Sequence, residues 1–192
     1  LGTAASLGIA PMSRRSRLLV TNITYIPVVN PEIITGISLM LLFVAYQRFA
    51  EGVSWLPDTI MGFPTLLIAH IAFNVPYVIF NVSPKLKQLD IKLYEAALDL
   101  GATPLQAFFK VVFPDILPGV LSGFLLSFTM SLDDFIITHF TKGAGINTLS
   151  TLIYSEVRRG IKPSMYALST VIFLTVLILL LIVNFRSFKK KN

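Results

Sequence analysis

The chain has 192 residues, of which 54% are hydrophobic and only 14% are charged, whereas a soluble domain carries about 25% charged residues. This composition excludes an ordinary soluble domain and predicts an integral membrane protein. The lack of cysteine excludes a disulfide framework and a cysteine-based metal site, and the formal net charge of +6 is better explained by membrane topology than by nucleic-acid binding.

The N-terminal part predicts a partial span and one complete span. Residues 1–11 are small and apolar but too short to cross a bilayer alone, so they are expected to be the tail of a helix. Residues 18–47 are predicted to form a span that is kinked near Pro27 and Pro31. Glu32 is the one charged residue in this stretch. It is either a first-turn carboxylate favoured by the helix dipole or a cation contact in a transport path.

Residues 63–82 predict the next span, and two polar residues lie on one of its faces. His70 and Asn74 are four positions apart. Buried polar side chains in membrane helices turn toward other helices or toward a path, and both interpretations remain open here. Only two histidines occur, and they form no HExxH motif, so no zinc enzyme is predicted.

Residues 83–114 form a charged, amphipathic stretch between two apolar runs. Its first half has apolar residues at helical spacing and is predicted to be a helix. Gly101 then stands where a cap residue with positive φ would end that helix, and Thr103 and Gln106 have the spacing of a capping box that starts another. The second helix is expected to end at Pro114. The pattern therefore predicts two short helices joined at a glycine elbow.

Two further spans are predicted in the C-terminal half. Residues 116–137 contain Gly119, Ser122 and Gly123, small residues that permit close helix contact. Residues 139–163 predict a polar connection that includes a short helix over 149–159. Residues 166–185 form an uncharged run of sufficient length for a span, and a basic tail follows it.

The amphipathic stretch carries a resemblance to a known family. Its residues Glu95, Ala96, Ala97, Gly101 and Pro114, with apolar residues just before the proline, resemble the EAA loop of the permease subunits of ABC importers. The positions 111 and 113 hold Val and Phe where the family prefers Ile and Leu. The resemblance covers nearly the whole chain and is strongest to the permeases for spermidine and putrescine.

That resemblance implies a fold and a set of partners. The fold is expected to be an all-α polytopic bundle that forms a single permease domain over 1–192. The chain is expected to be an N-terminally truncated fragment, because the family has further spans before this point. The five matching residues are expected to couple the permease to a separate cytoplasmic ATP-binding subunit. The other expected partners are a second permease subunit in a homo- or heterodimer, an extracytoplasmic substrate-binding protein and membrane lipid, without nucleic acid. No Walker-type GxxxxGK[ST] stretch occurs, so the chain is not the ATPase.

The distribution of positive charge predicts the orientation. Eleven of the sixteen Lys and Arg residues fall in 12–17, 83–114 and the tail from 186, and the other five fall in the intervening connections. By the positive-inside rule, the loop 83–114 and the C-terminus are expected to be cytoplasmic in a multi-pass protein of the bacterial inner membrane.

Two adjacent acids predict the cargo. Asp133 and Asp134 lie at the end of an apolar run, where a carboxylate normally faces water or a partner. They are predicted to contact a linear polyamine, with Phe128 or Tyr154 holding the cation by a cation–π contact. The alternative is an acid pair at the membrane boundary. Adjacent helical residues point about 100° apart, so one acid is expected to face cargo and the other to pair or cap.

The sequence is also compatible with other functions. A permease of the same family could carry ferric iron, thiamine, a phosphonate or another small solute, although a carrier of anions should line its path with Arg or Lys. From a different class, the chain could be an intramembrane enzyme or a scaffold, but no paired nucleophile and base stands out in the spans. No catalytic residue, cofactor site or metal site is predicted.

Overall fold

A computed structural model describes residues 1–50, 61–160 and 163–189, with side chains described as far as residue 181, and this part of the chain is helical without a strand. The helices are, in chain order, α1 (Gly2–Ile9), α2 (Arg14–Val29), α3 (Glu32–Ala50), α4 (Phe63–Gln88), α5 (Ile91–Asp99), α6 (Pro104–Ala107), a π-helical turn (Phe108–Val112), α7 (Phe113–Asp133), α8 (Ile136–Thr141), α9 (Leu149–Arg159) and α10 (Pro163–Lys189). The helical fold confirms the expected class.

Four helical segments are long and apolar enough to cross a membrane: Glu32–Ala50, Phe63–Gln88, Pro104–Asp133 and Pro163–Leu181. The chain divides into two compact units, Leu1–Thr148 and Leu149–Asn192. The first unit holds the first three of these segments. The second holds α9, whose bounds match the predicted short helix, and α10. The last residues of the basic tail, Lys190 and Lys191, lie outside the described residues.

The predicted single span over 18–47 is instead two helices. Helix α2 runs through Pro27 and ends at Val29, and Asn30 is extended with ψ of 139°. The carbonyl of Pro31 then accepts the first hydrogen bonds of α3, from the amides of Ile34 and Thr35. A residue before proline is disfavoured in the helical region. Asn30 therefore breaks the chain where a kink was expected, and only α3 has the length and composition of a span.

The second helix of the amphipathic stretch does not end at Pro114, which corrects that prediction. A π-helical turn over Phe108–Val112 joins α6 to α7, and the amide of Phe113 donates to the carbonyl of Phe108. The extra residue in this turn lets the helix pass the proline, which sits in the first turn of α7. The segment from Pro104 to Asp133 is consequently one helical rod of 30 residues.

The C-terminal end of the predicted span 116–137 also differs. Helix α7 ends at Asp133, Asp134 is extended, and the separate helix α8 begins at Ile136. Ile137, Thr138 and Thr141 are buried. The residues from His139 to Thr141 therefore belong to a packed helix, although they were predicted to begin a polar connection.

Close packing of α4 against α7 forms the centre of the first unit. A Cβ on Gly119 would come within 2.7 Å of the Asn81 carbonyl oxygen, and one on Gly123 within 3.2 Å of Val78 Cα. Both glycines therefore permit the close helix contact that the sequence predicts. Ser122 does not contribute, because it is exposed and its hydroxyl donates to the Pro118 carbonyl.

Two apolar clusters stabilise this arrangement. Phe43, Ala69, Phe73 and Ile137 bring α3, α4 and α8 together. Val82, Val112 and Ile116 join the end of α4 to the start of α7, and Leu89 and Tyr94 pack against them. The second cluster fixes the base of the amphipathic stretch to the bundle.

Candidate functional site

The glycine elbow has the predicted geometry. Gly101 has φ of 84°, a conformation that residues with a Cβ rarely adopt. Its amide donates to the Leu98 carbonyl at 2.9 Å, and the next amide, of Ala102, donates to the Ala97 carbonyl at 3.1 Å. These bonds satisfy carbonyls at the end of α5 and turn the chain sharply.

The helix after the elbow begins with the predicted capping box. The Gln106 amide donates to Thr103 Oγ1 at 3.3 Å, and the Thr103 amide donates to Gln106 Oε1 at 3.1 Å. Pro104 occupies the first turn, where its missing N–H is no loss. Both sides of the elbow are therefore fixed by local hydrogen bonds.

The elbow presents apolar side chains outward. Leu100 is 89% exposed, and Leu93 and Leu105 are also exposed. Glu95 and Ala96 are exposed as well, whereas Ala97 is half-buried. The opposite side of α5 is held to the bundle by Tyr94. A rigid, outward-facing surface with both apolar and acidic groups is suited to a docking role.

A cavity of about 380 Å³ in the first unit brings acids from two helices together. Its lining includes Glu32, from the first turn of α3, Asp133, from the end of α7, and Asp134, the next residue. Phe73 and Phe135 contribute aromatic surface. No Lys or Arg occurs among the described residues that line this cavity. We call it the acid cavity.

Asp133 and Asp134 have different environments. Asp133 is exposed, whereas Asp134 is buried. Asp134 accepts hydrogen bonds from the amides of Ile137 (3.2 Å) and Thr138 (2.8 Å) and from the Thr138 hydroxyl (2.8 Å). It thus caps the start of α8 and contributes to the fold. Both acids line the acid cavity, but only Asp133 is exposed there.

His70 connects three helices beside this cap. Its Nδ1 lies 2.8 Å from Ser131 Oγ of α7, and its Nε2 lies 2.9 Å from Thr138 Oγ1 of α8 and 3.6 Å from Asp134 Oδ2. Of the two interpretations of His70, interhelical hydrogen bonding is confirmed. Asn74 differs, because its amide nitrogen donates to the His70 carbonyl of its own helix.

Neither of the aromatic residues predicted for cation binding is among the described residues that line the acid cavity. Phe128 lines a separate cavity of about 260 Å³, which also contains His70 and Asn74. Tyr154 belongs to the second unit, where the Arg158 guanidinium carbon lies 5.9 Å from the centre of its ring. The structure instead places Phe73 and Phe135 with the acids. Phe73 is far from both Asp133 and Asp134 in sequence, whereas Phe135 directly follows them and was overlooked.

The helical segments, the glycine elbow and the acid cavity together define a polytopic membrane protein with a surface suited to docking and a cavity suited to cations. Residues 2–190 match the family described as the binding-protein-dependent transport system inner membrane component. The chain belongs to this family, which confirms the resemblance and identifies the chain as a multi-pass inner membrane component.

Curated relatives match most of the chain. It is 46% identical over 146 residues to the putrescine transport system permease protein PotI of Escherichia coli K12, a match that covers 76% of this chain and 50% of that protein. It is 31% identical to the spermidine/putrescine transport system permease protein PotC of the same strain, with coverage of 94% and 64%. It is 36% identical to PotC of Haemophilus influenzae, with coverage of 93% and 64%. The chain therefore spans between half and two thirds of the length of these relatives.

Proposed function

We propose that this chain belongs to a permease subunit that imports polyamines such as putrescine and spermidine. The observation that carries the proposal is the acid cavity. Glu32 and Asp133 reach it from different helices, and Phe73 and Phe135 lie beside them. Carboxylates bind ammonium groups by charge-assisted hydrogen bonds, and aromatic faces attract cations. The names of the relatives PotI and PotC support the same class of cargo.

The cavity also disfavours anionic cargoes. A phosphonate or another anion would be repelled by the carboxylates that line the cavity, which no cation among the described lining residues neutralises. Glu32 is accordingly proposed to contact the cation, in addition to its place in the first turn of α3. Asp133 is the acid that faces cargo, and Asp134 is the acid that caps.

Competition for uptake tests the cargo. We expect cells that carry the complete importer to take up labelled putrescine. Unlabelled spermidine should compete with it, whereas thiamine or a phosphonate should not, because only a linear polyamine places ammonium groups against both carboxylates. Cells without the permease provide the background rate. Equal competition by a phosphonate would exclude a cation-selective path.

The energy is proposed to come from a cytoplasmic ATP-binding subunit that docks at the glycine elbow. Glu95, Ala96 and Leu100 are exposed there, and Gly101 sets the angle between the two helices. The rod from Pro104 to Asp133 begins directly after the elbow and ends at the acid cavity. At about 1.5 Å per residue, the rod is roughly 45 Å long. A movement of the elbow would therefore be transmitted along the rod to the acid cavity. A second permease subunit and an extracytoplasmic binding protein would complete the importer.

The orientation has its own test. We expect single cysteines at Lys87 and Lys110, both exposed and both in the predicted cytoplasmic loop, to react with an impermeant maleimide only from the inner side. The described chain suits this experiment because it contains no cysteine of its own. Ala144→Cys, at an exposed position of the predicted outer connection, is the matched control and should react from outside. Outside labelling at 87 and 110 would reverse the topology.

A further inference from the structure

A second cavity, of about 310 Å³, is lined by residues of α1, α2 and α4 and has the opposite charge to the acid cavity. Arg17 and Lys87 are its two cations, and Ile9, Phe80 and Leu86 give it apolar walls. The Tyr25 and Phe80 rings, which also line it, stack with their centres 4.4 Å apart. We call it the basic cavity.

The Arg17 guanidinium is held in place by the end of α1. Its Nη2 donates to the carbonyls of Ala10 and Met12. A guanidinium has five N–H donors, so three remain for a ligand after these two bonds. A fixed guanidinium loses less conformational entropy on binding than a free one, and its fork geometry suits the oxygens of a phosphate group.

The charged residues among the described lining of the basic cavity are all positive. No carboxylate occurs among the described residues that line it, and residues 1–31 contain neither Asp nor Glu. Arg14 and Arg15 precede Arg17 by one turn or less, and Lys85 precedes Lys87 by two residues. A polyamine would be repelled from this cavity, so it is not part of the proposed cargo path.

We infer that the basic cavity binds the phosphate headgroup of an anionic phospholipid. The two cations meet the phosphate, and the apolar walls meet the beginning of the acyl chains. The position is suited to a lipid, because α2 presents an exposed apolar surface directly after its arginines, at Leu18, Leu19 and Ile23. Arginines followed by exposed apolar residues mark the level where headgroups meet hydrocarbon. A soluble anion would use the cations but leave the apolar walls without a partner.

Native mass spectrometry of the full-length permease, purified within its importer complex, tests this site. The delipidated complex is titrated with phosphatidylglycerol or with phosphatidylcholine, and the bound lipid is counted. We expect preferential binding of phosphatidylglycerol. Lys87→Gln should weaken the binding of phosphatidylglycerol about fivefold, because that is the contribution of one basic residue near an anionic lipid surface. Arg17→Lys keeps the charge but loses the fork, so it should bind less than wild type and more than Arg17→Gln.

Two controls separate this site from general surface charge. Arg14 and Lys85 lie on the same helices as Arg17 and Lys87 but do not line the cavity. Arg14→Gln and Lys85→Gln should therefore leave lipid binding unchanged. An equal loss in all four glutamine variants would reduce the effect to bulk electrostatics and overturn the proposal. Displacement of the lipid by inorganic phosphate or glycerol phosphate at similar concentration would also overturn it, because the site would then bind a free anion. None of these readouts requires transport, so they are independent of the proposed cargo.

Discussion

Gly101→Val is expected to abolish polyamine uptake while the permease still inserts and assembles. Gly101 has φ of 84°, and a Cβ built at this position meets no atom within 4 Å. A side chain would therefore fit the space, and the penalty comes from the backbone alone. A β-branched residue in this conformation is a genuine outlier, with strain of about 1–3 kcal/mol. The elbow should relieve that strain by opening, which misdirects α6 and the rod that follows it.

Asparagine provides the matched control at position 101. It adds a side chain of comparable size but tolerates positive φ better than other residues with a Cβ. Gly101→Asn should therefore retain much of the uptake that Gly101→Val loses. ATP hydrolysis by the assembled importer, measured with and without cargo-loaded binding protein, identifies the defect as one of coupling. Normal uptake by the valine variant would remove the elbow angle from the mechanism.

The amphipathic stretch shows which features local sequence determines. The positive φ of Gly101 and the capping box of Thr103 and Gln106 were predictable, because both depend on residues within one helical turn. The helix end predicted at Pro114 was wrong, because a π-helical turn provides a way past a proline that a rule for regular helices does not include. Local rules identify an element here, but they do not determine whether it joins the next one.

The acid cavity shows the limit for contacts between distant segments. Glu32 and Asp133 were each identified as candidates, but about a hundred residues separate them, and no pattern in the sequence links the two. The packing of α3 against α8, with Gly36 close to the Phe140 ring, belongs to the same unit that brings them to one cavity. The different roles of Asp133 and Asp134 likewise depend on where α7 ends. Asp134 can cap α8 because it lies just beyond the last residue of α7.

The difference between the two neighbouring acids provides an internal control for any test of the cavity. Asp134 is buried and accepts three hydrogen bonds, and a hydrogen bond to a charged group is worth about 1.5–3 kcal/mol. Asp134→Asn should therefore lower the thermal stability of the permease and its abundance in the membrane. Asp133→Asn should leave both unchanged, because Asp133 is exposed.

Replacing Glu32 and Asp133, the two acids of the cavity that do not cap α8, is expected to have a large effect on transport with a smaller loss of stability than Asp134→Asn. Glu32→Gln and Asp133→Asn keep size and hydrogen-bonding capacity but remove charge, so each tests electrostatics. Each lost charged hydrogen bond is worth about 1.5–3 kcal/mol, or roughly ten- to hundred-fold in uptake if it is fully expressed at the rate-limiting step.

The double variant distinguishes one shared site from two independent acids. If Glu32 and Asp133 bind opposite ends of one polyamine, the loss in the double variant should differ from the product of the single losses, because residues that share a ligand are coupled. The measurement is uptake of labelled putrescine and spermidine by cells with equal amounts of each permease in the membrane. Asp99→Asn, at an exposed carboxylate outside the cavity lining, controls for loss of charge elsewhere and should not change the apparent affinity for cargo. Unchanged affinity and rate in all the cavity variants would leave both acids as boundary residues and reopen the choice of cargo.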